Sequence, residues 1–138
     1  MFDLTITPKI LLWVGLLFAF KHFVADGPLQ REYQYKNKGN LGHPGGYLHA
    51  GIHGVATAII MFPFGLWWLG AIEAVVHFVI DWGKVNLTAK YGWSGVFEDP
   101  TTKRKCLQVY SDFYFWALMA DQCLHFATYL VLLYILAT

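Results

Sequence analysis

The sequence predicts an all-α protein, a four-helix bundle that spans a membrane, and its composition carries this prediction. Of the 138 residues, 57% are apolar and 14% are charged, whereas soluble domains carry about 45–50% apolar and about 25% charged residues. Apolar stretches alternate with polar, glycine-rich segments. The length allows one integral membrane domain, residues 1–138. The net charge of +1 excludes a basic nucleic-acid-binding protein.

The ends of the helices are predicted from proline and glycine. Pro8 suits the first turn of a helix, where its missing N–H costs nothing, and Gly27-Pro28 ends that helix. Pro63 separates the second helix from the third, and Gly83 ends the third. The last segment contains no glycine or proline, so it is predicted as one long helix. The predicted helices cover residues 8–26, 47–62, 64–83 and 102–137.

Positive charges are distributed unevenly between the two sides of such a bundle. Four spans place the two long loops on one side and both termini on the other, where Lys9 is the one cation. The positive-inside rule therefore predicts that both long loops face the cytoplasm and that both termini lie on the non-cytoplasmic side. The loop-side cations are Arg31, Lys36, Lys38, Lys84, Lys90, Lys103, Arg104 and Lys105.

Each predicted helix carries one pair of metal-competent side chains spaced four residues apart. Residues at this spacing project from the same helical face, so each pair can point at one object. At a rise of about 1.5 Å per residue, the alternating helix directions bring all four pairs to one level near the cytoplasmic face. The pairs are His22/Asp26, His49/His53, His77/Asp81 and Asp121/His125.

Carboxylates and imidazoles at one level inside a membrane require a strong partner. A charged residue at the centre of a membrane helix costs about 2.5–3.5 kcal/mol even on the insertion scale. One or two divalent metal ions would be such a partner, and eight ligands suit two ions about 3.5–4 Å apart. Imidazole and carboxylate without thiolate favour zinc, with iron or manganese as alternatives. Hydrogen bonds between helices without a metal are the simpler alternative.

Three further residues are candidates for catalysis. Glu73 lies one turn before His77, so it is a candidate ligand, general base or histidine-orienting residue. Lys21 and Lys84 are candidates for binding phosphate, because cations beside a metal centre suit an anionic group. The alternative for both lysines is that they snorkel and only follow the positive-inside rule. His43 has no partner at helical spacing, and we do not expect it to be a ligand.

Four segments, KHFVADGPLQ, HAGIHG, HFVIDWGK and DQCLH, carry a resemblance to a known family. They resemble the signature segments of an uncharacterised bacterial and phage membrane-protein family, domain of unknown function 3307, whose name assigns no activity. Gly27-Pro28 departs from its pattern, and we expect an altered helix end beside Asp26. More loosely, the arrangement is similar to inner-membrane metal-dependent hydrolases of the damage-inducible type. The resemblance carries over His22, Asp26, Gln30, His49, His53, His77, Asp81, Lys84, Asp121, Gln122 and His125.

The sequence favours a membrane-embedded, metal-dependent hydrolase that acts on a lipid-linked or phosphorylated substrate at the cytoplasmic leaflet. A bound metal would lower the pKa of its water to about 7 and supply hydroxide at neutral pH. One alternative is a metal-stabilised structural or interaction subunit of a homo-oligomer or larger membrane complex. Another is an ion or proton conductor, which the apolar outer segments ILLWVGLLF and LVLLYILA disfavour. Membrane lipid is the expected partner, and nucleic acid is not.

Overall fold

The computed structural model describes residues 5–98, 105–110 and 112–138 of the chain. Four long helices form a bundle, as the prediction of a helical fold requires, and a two-stranded hairpin joins the last two of them. In chain order the elements are α1 (Pro8–Asp26), α2 (Glu32–Tyr35), α3 (Pro44–Met61), a 3-10 turn (Phe62–Phe64), α4 (Leu69–Lys90), β1 (Ser94–Glu98), β2 (Lys105–Tyr110) and α5 (Asp112–Ala137).

Helix α1 begins and ends where the sequence predicts. The Thr7 side chain caps it by accepting a hydrogen bond from the Ile10 amide at 3.3 Å, and Pro8 occupies the first turn. At the other end the Gly27 amide still donates to the Phe23 carbonyl at 2.9 Å. A Cβ at Gly27 would lie 2.8 Å from that same carbonyl oxygen, so this ending of the helix requires glycine.

The structure shifts the bounds of the second and third predicted helices. Helix α3 begins at Pro44 because the His43 side chain caps it, accepting from the Gly45 amide at 3.1 Å. Helix α4 does not begin at residue 64, since the 3-10 turn and the left-handed Gly65, with φ of 76°, reverse the chain first. Helix α4 continues past Gly83 to Lys90, because a single glycine lowers helix propensity without ending a helix.

The predicted fourth helix begins ten residues too early. Strand β2 pairs antiparallel with β1, with Val96 opposite Leu107 and Glu98 opposite Lys105. The absence of glycine and proline allows a helix but does not require one, and pairing with a neighbouring strand overrides the weak local preference. Helix α5 begins at Asp112, whose carboxylate interacts favourably with the positive end of the helix dipole.

Helices α3 and α4 pack closely because small residues face each other at their crossing. A Cβ on Gly54 would lie 2.6 Å from the Gly70 carbonyl oxygen and 2.7 Å from the Ala74 Cβ. A Cβ on Gly70 would likewise lie 2.7 Å from the Ala58 Cβ. Small residues four apart on both helices thus allow backbone contact, as in tightly packed membrane helices. This contact sets the distance between the side chains that α3 and α4 direct into the bundle.

The bundle has an apolar half and a polar half. The half near the termini is filled by one apolar cluster, and the polar residues are buried in the other half. Three helical segments are long and apolar enough to cross a membrane: Pro8–Asp26, Pro44–Phe64 and Asp112–Ala137. The apolar cluster consists of Val14, Phe18, Met61, Leu69, Tyr129, Leu132 and Leu136.

Candidate metal centre

The four predicted pairs converge in the polar half of the bundle. The ring centroids of His53 and His77 lie 3.6 Å apart, and those of His77 and His125 lie 4.1 Å apart. The His22 ring lies 5.4 Å from the His53 ring and 5.3 Å from the His125 ring. All eight residues are buried except Asp26, whose side chain is 24% exposed. The i, i+4 spacing therefore does direct one pair from each long helix at a common point.

Four of these residues form a first group with the spacing of metal ligands, namely Asp26, His49, His53 and His77. Asp26 Oδ1 lies 3.0 Å from His49 Nε2 and 3.3 Å from His53 Nε2. The Nε2 atoms of His49 and His77 are 3.2 Å apart. Around a tetrahedral zinc ion with bonds of about 2.0–2.1 Å, neighbouring ligand atoms lie about 3.3 Å apart. The first group therefore fits one divalent ion.

A second group, His77, Asp81 and His125, overlaps the first through His77. Asp81 Oδ2 lies 3.4 Å from His77 Nε2, and Asp81 Oδ1 lies 3.8 Å from His125 Nε2. Asp121 Oδ1 lies 3.6 Å from that same nitrogen of His125. One imidazole nitrogen binds one ion, so His77 could serve one of the two groups at a time. Six of the eight candidate ligands thus belong to these two groups, whereas His22 and Asp121 belong to neither.

Several buried ligand atoms have no hydrogen-bond partner within the described part of the chain. They include His53 Nε2, His125 Nε2 and Asp121 Oδ1. Buried polar atoms are nearly always paired, since leaving one unpaired costs about 1–3 kcal/mol. These three atoms all face into the ligand groups, where a cation would satisfy them. The donor set thus fits a metal at these three atoms. Four further buried atoms without a hydrogen-bond partner among the described residues are His53 Nδ1, His77 Nδ1, Glu73 Oε2 and Thr57 Oγ1.

Two lysines lie against the aspartates of the centre. Lys84, a predicted site residue, places its Nζ 3.1 Å from Asp121 Oδ2. Lys38 was not predicted: its Nζ lies 2.9 Å from Asp81 Oδ2 and 3.8 Å from Asp26 Oδ1, although it belongs to the loop before α3. No periodicity marks a residue in an irregular loop. The burial of Lys38 depends on contacts of its loop with the rest of the fold. In one of them Asn86 Nδ2 donates to the carbonyl of the next residue, Gly39, at 3.1 Å.

Glu73 and Lys21 form a buried ion pair behind the histidines. Lys21 Nζ lies 2.8 Å from Glu73 Oε1, and it donates to the His53 carbonyl at 3.1 Å. Glu73 Oε1 faces the Nδ1 atoms of His77 and His53 at 3.6 and 3.9 Å. The Nε2 atoms of the same rings face the ligand groups. The structure therefore places Glu73 on the side of His77 and His53 that faces away from the ligand groups. Lys21 lies beside Glu73, not beside Lys84, the other lysine that was predicted to bind phosphate.

His22 is held by two residues of α5. Its Nδ1 lies 2.8 Å from the Tyr129 hydroxyl, and its Nε2 lies 3.1 Å from Gln122 Oε1 and 3.0 Å from Asp26 Oδ2. The other carboxylate oxygen of Asp26, Oδ1, accepts a hydrogen bond from Gln30 Nε2 at 3.1 Å. The sequence does not mark Tyr129 as a site residue, because tyrosine in an apolar run also suits a membrane-facing helix. Its spacing of one turn from His125 was the available signal.

A groove of about 380 Å³ opens beside His22 and Asp26, between α1 and α5. Its lining consists of Ala19, His22, Phe23, Asp26, Gly27, Gln122 and Phe126. Two of the eight candidate ligands thus border an open space, whereas the others are enclosed by the bundle. His43 takes no part in the centre, since it caps α3.

Comparison with known proteins identifies a family and no activity. No curated protein and no solved structure matches the chain. The family described as "Protein of unknown function (DUF3307)" matches residues 12–138, which include all eight candidate ligands. The segments that carry the resemblance lie within this match. The chain belongs to the DUF3307 family.

Proposed function

We propose that this protein is a membrane-embedded, metal-dependent hydrolase of a lipid-linked or phosphorylated substrate. The observation that carries the proposal is the set of ligand atoms at coordination spacing, with one edge, at Asp26, open to a groove that His22 also lines. Catalytic metal centres keep an open position for water and substrate, whereas structural centres are closed by protein ligands. The groove is therefore the feature that favours catalysis over a structural role.

The proposed bundle crosses the membrane four times, with α4 as a span in addition to the three apolar segments named above. Helix α4 carries Glu73, Asp81 and Lys84 on its buried or half-buried side, while Ile72, Val75 and Val79 are exposed. An apolar outer face around a polar interior is what a membrane helix requires when its charges are paired inside the bundle. With the cation-rich loops in the cytoplasm, the metal centre lies near the cytoplasmic leaflet of a bacterial inner membrane and both termini lie outside.

The centre would hold one or two divalent ions, zinc by preference, with iron or manganese as alternatives. Such an ion lowers the pKa of bound water to about 7 and neutralises developing negative charge. Lys84 and Lys38 are placed to compensate the aspartates and to attract an anionic substrate. Glu73, with Lys21 as its counter-ion, is a positioning residue that faces the outer nitrogens of His77 and His53.

Conduction of ions or protons is the alternative that the packing disfavours. A transport path requires polar groups through the whole membrane thickness. In the half of the bundle near the termini, the described residues form an apolar cluster that includes Phe18, Met61 and Leu132, each at most 2% exposed. This cluster lies between the polar centre and the proposed outer face.

The test is the metal content of detergent-purified protein, measured by elemental mass spectrometry. We expect one or two equivalents of zinc, iron or manganese in the wild type and in His43→Asn, which keeps a capping side chain at a histidine outside the centre. We expect His53→Gln and Asp81→Asn to lose most of that metal. Hydrolysis of phosphatidic acid in mixed micelles should follow the metal content across the four proteins.

Two outcomes would refute the proposal. Wild-type protein purified without chelator and free of metal would leave a hydrogen-bonded polar bundle and no hydrolase. Stoichiometric metal with no hydrolysis across lipid and soluble phosphoesters would favour the metal-stabilised structural or interaction subunit.

A further inference from the structure

We infer that the groove between α1 and α5 admits a membrane lipid sideways from the bilayer, with an anionic phosphate headgroup at His22 and Asp26. This inference rests on the proposed function and specifies its substrate class and route of entry. A substrate that comes from the lipid phase never has to leave the membrane before it reaches the centre.

The walls of the groove are apolar and face outward. Phe23 on α1 is 69% exposed and Phe126 on α5 is 45% exposed, and Ala19, one turn before Phe23, is exposed and lines the groove as well. Both helices are among the segments long and apolar enough to cross a membrane. In the proposed membrane-spanning bundle these walls face lipid chains rather than water, and apolar walls suit acyl chains.

The floor of the groove is polar. His22, Asp26 and Gln122 line it, and Asp26 keeps 24% of its side chain exposed. An ionised side chain facing hydrocarbon alone is costly, so it normally faces a polar cavity or a polar partner. A lipid headgroup would place polar atoms at this floor while its chains remain against Phe23 and Phe126. An occupant with one polar end and one apolar end matches the lining better than a wholly polar molecule does.

The charge of the centre selects an anion once metal is bound. Asp26, Asp81 and Asp121 carry three negative charges, and Lys38 and Lys84 offset two of them. Histidine ligands are neutral when a metal is bound, and the charges of the Lys21–Glu73 pair cancel. The side-chain charges of the centre therefore sum to −1, and the total charge is +1 with one divalent ion and +3 with two. A phosphate-bearing headgroup is thus attracted to the loaded centre.

The size of the groove fits a headgroup rather than a whole lipid. Ligand pockets commonly measure about 300–1,000 Å³ and bury most of a drug-sized molecule. The groove, at about 380 Å³, lies at the low end of that range. It can therefore receive the headgroup and the first carbons of the chains, while the rest of the lipid stays in the bilayer.

The test is photo-cross-linking in phosphatidylcholine vesicles that contain phosphatidic acid with a diazirine at the start of one acyl chain. Peptide mass spectrometry locates the adducts on metal-loaded protein. We expect adducts concentrated in residues 19–27 and 122–126, and competition by unlabelled phosphatidic acid but not by inorganic phosphate. Removal of metal with a chelator should lower the yield, since the bound ion supplies the positive charge that attracts the phosphate.

A matched pair of tryptophan variants controls for surface effects. Ala19→Trp places an indole in the groove, and we expect it to lower the adduct yield about tenfold. Leu12→Trp adds the same ring two turns earlier on the same face of α1, at a residue that is 62% exposed. We expect that variant to cross-link like the wild type. Both variants should keep their metal, because neither residue is a ligand.

Each result decides something about the groove. Adducts spread evenly along α1 and α5, an unchanged yield in Ala19→Trp, or equal competition by inorganic phosphate would overturn the lipid route. If the metal content is intact in that case, the proposed metal centre still stands. A wild type without metal but with adducts confined to the groove would support the lipid site and refute the hydrolase.

Discussion

Replacing Lys21 by methionine tests whether the ion pair with Glu73 supports the centre from behind. The substitution removes a 2.8 Å ion pair, a 3.1 Å hydrogen bond to the His53 carbonyl and a cation–π contact of 4.8 Å with Tyr129. It leaves the Glu73 carboxylate, 1% exposed, without a counter-ion. Breaking a buried pair in this way costs about 3–5 kcal/mol, most of it for the charge left alone. We expect the free energy of unfolding to fall by that amount.

The double variant Lys21→Met/Glu73→Gln separates this effect from others. It removes both charges, and replacing a whole buried pair is often close to neutral. We therefore expect it to recover most of the loss, to within about 1–2 kcal/mol of the wild type. The assay is equilibrium unfolding in mixed micelles, followed by tryptophan fluorescence, with Lys9→Met as a control at an exposed lysine.

A different pattern would refute this reasoning. If Lys21→Met unfolds like the wild type but loses phosphatidic acid hydrolysis, Lys21 serves the substrate, as the sequence alone indicates. If the double variant is as unstable as the single one, the loss comes from packing and hydrogen bonding rather than from an unpaired carboxylate.

Two further predictions concern the helix crossing and the loop lysine. Gly54→Ala should lower both the unfolding temperature and the metal content, because its Cβ would lie 2.6 Å from the Gly70 carbonyl oxygen. Gly51→Ala, with no atom within 4 Å of its added Cβ, should instead stabilise α3 by up to about 1 kcal/mol; equal effects would exclude the crossing as the cause. Lys38→Met should tighten zinc binding at least about tenfold, measured against a chromophoric chelator, because a positive charge 2.9 Å from Asp81 Oδ2 opposes the ion. Weaker zinc binding would mean that Lys38 mainly orders the loop.

The convergence of the four pairs could be predicted from the sequence because it depends on regular geometry. Spacing of four residues fixes the face of a helix, and the alternating direction of the helices fixes the level. His53 on α3 and His77 on α4 belong to segments that obey both rules, and their rings meet at 3.6 Å. The start of α1 and its end at Asp26 were likewise predictable from proline and glycine.

The remaining features depend on contacts between distant residues. Lys38 reaches Asp81 across the fold from a loop with no periodic pattern. Strand β2 forms because Lys105–Tyr110 pairs with β1, although its own sequence does not exclude a helix. Glu73 lies one turn from His77 as predicted, but only the packed bundle shows that it faces Lys21 and the outer nitrogens of the histidines. The local sequence determines the helix face on which a residue lies. It does not determine which distant residues contact that face.

The apolar cluster at the terminal half of the bundle has an electrical consequence. Moving one elementary charge through a potential of 100 mV changes its energy by about 2.3 kcal/mol. In the proposed orientation most of that voltage drops across the layer that contains Phe18, Met61 and Leu132. Protons, metal ions and products that exchange with the cytoplasm would bypass this layer and cross little of the field. Loading and turnover at the centre should therefore be nearly independent of the membrane potential, so the same chemistry can run in energised and de-energised cells.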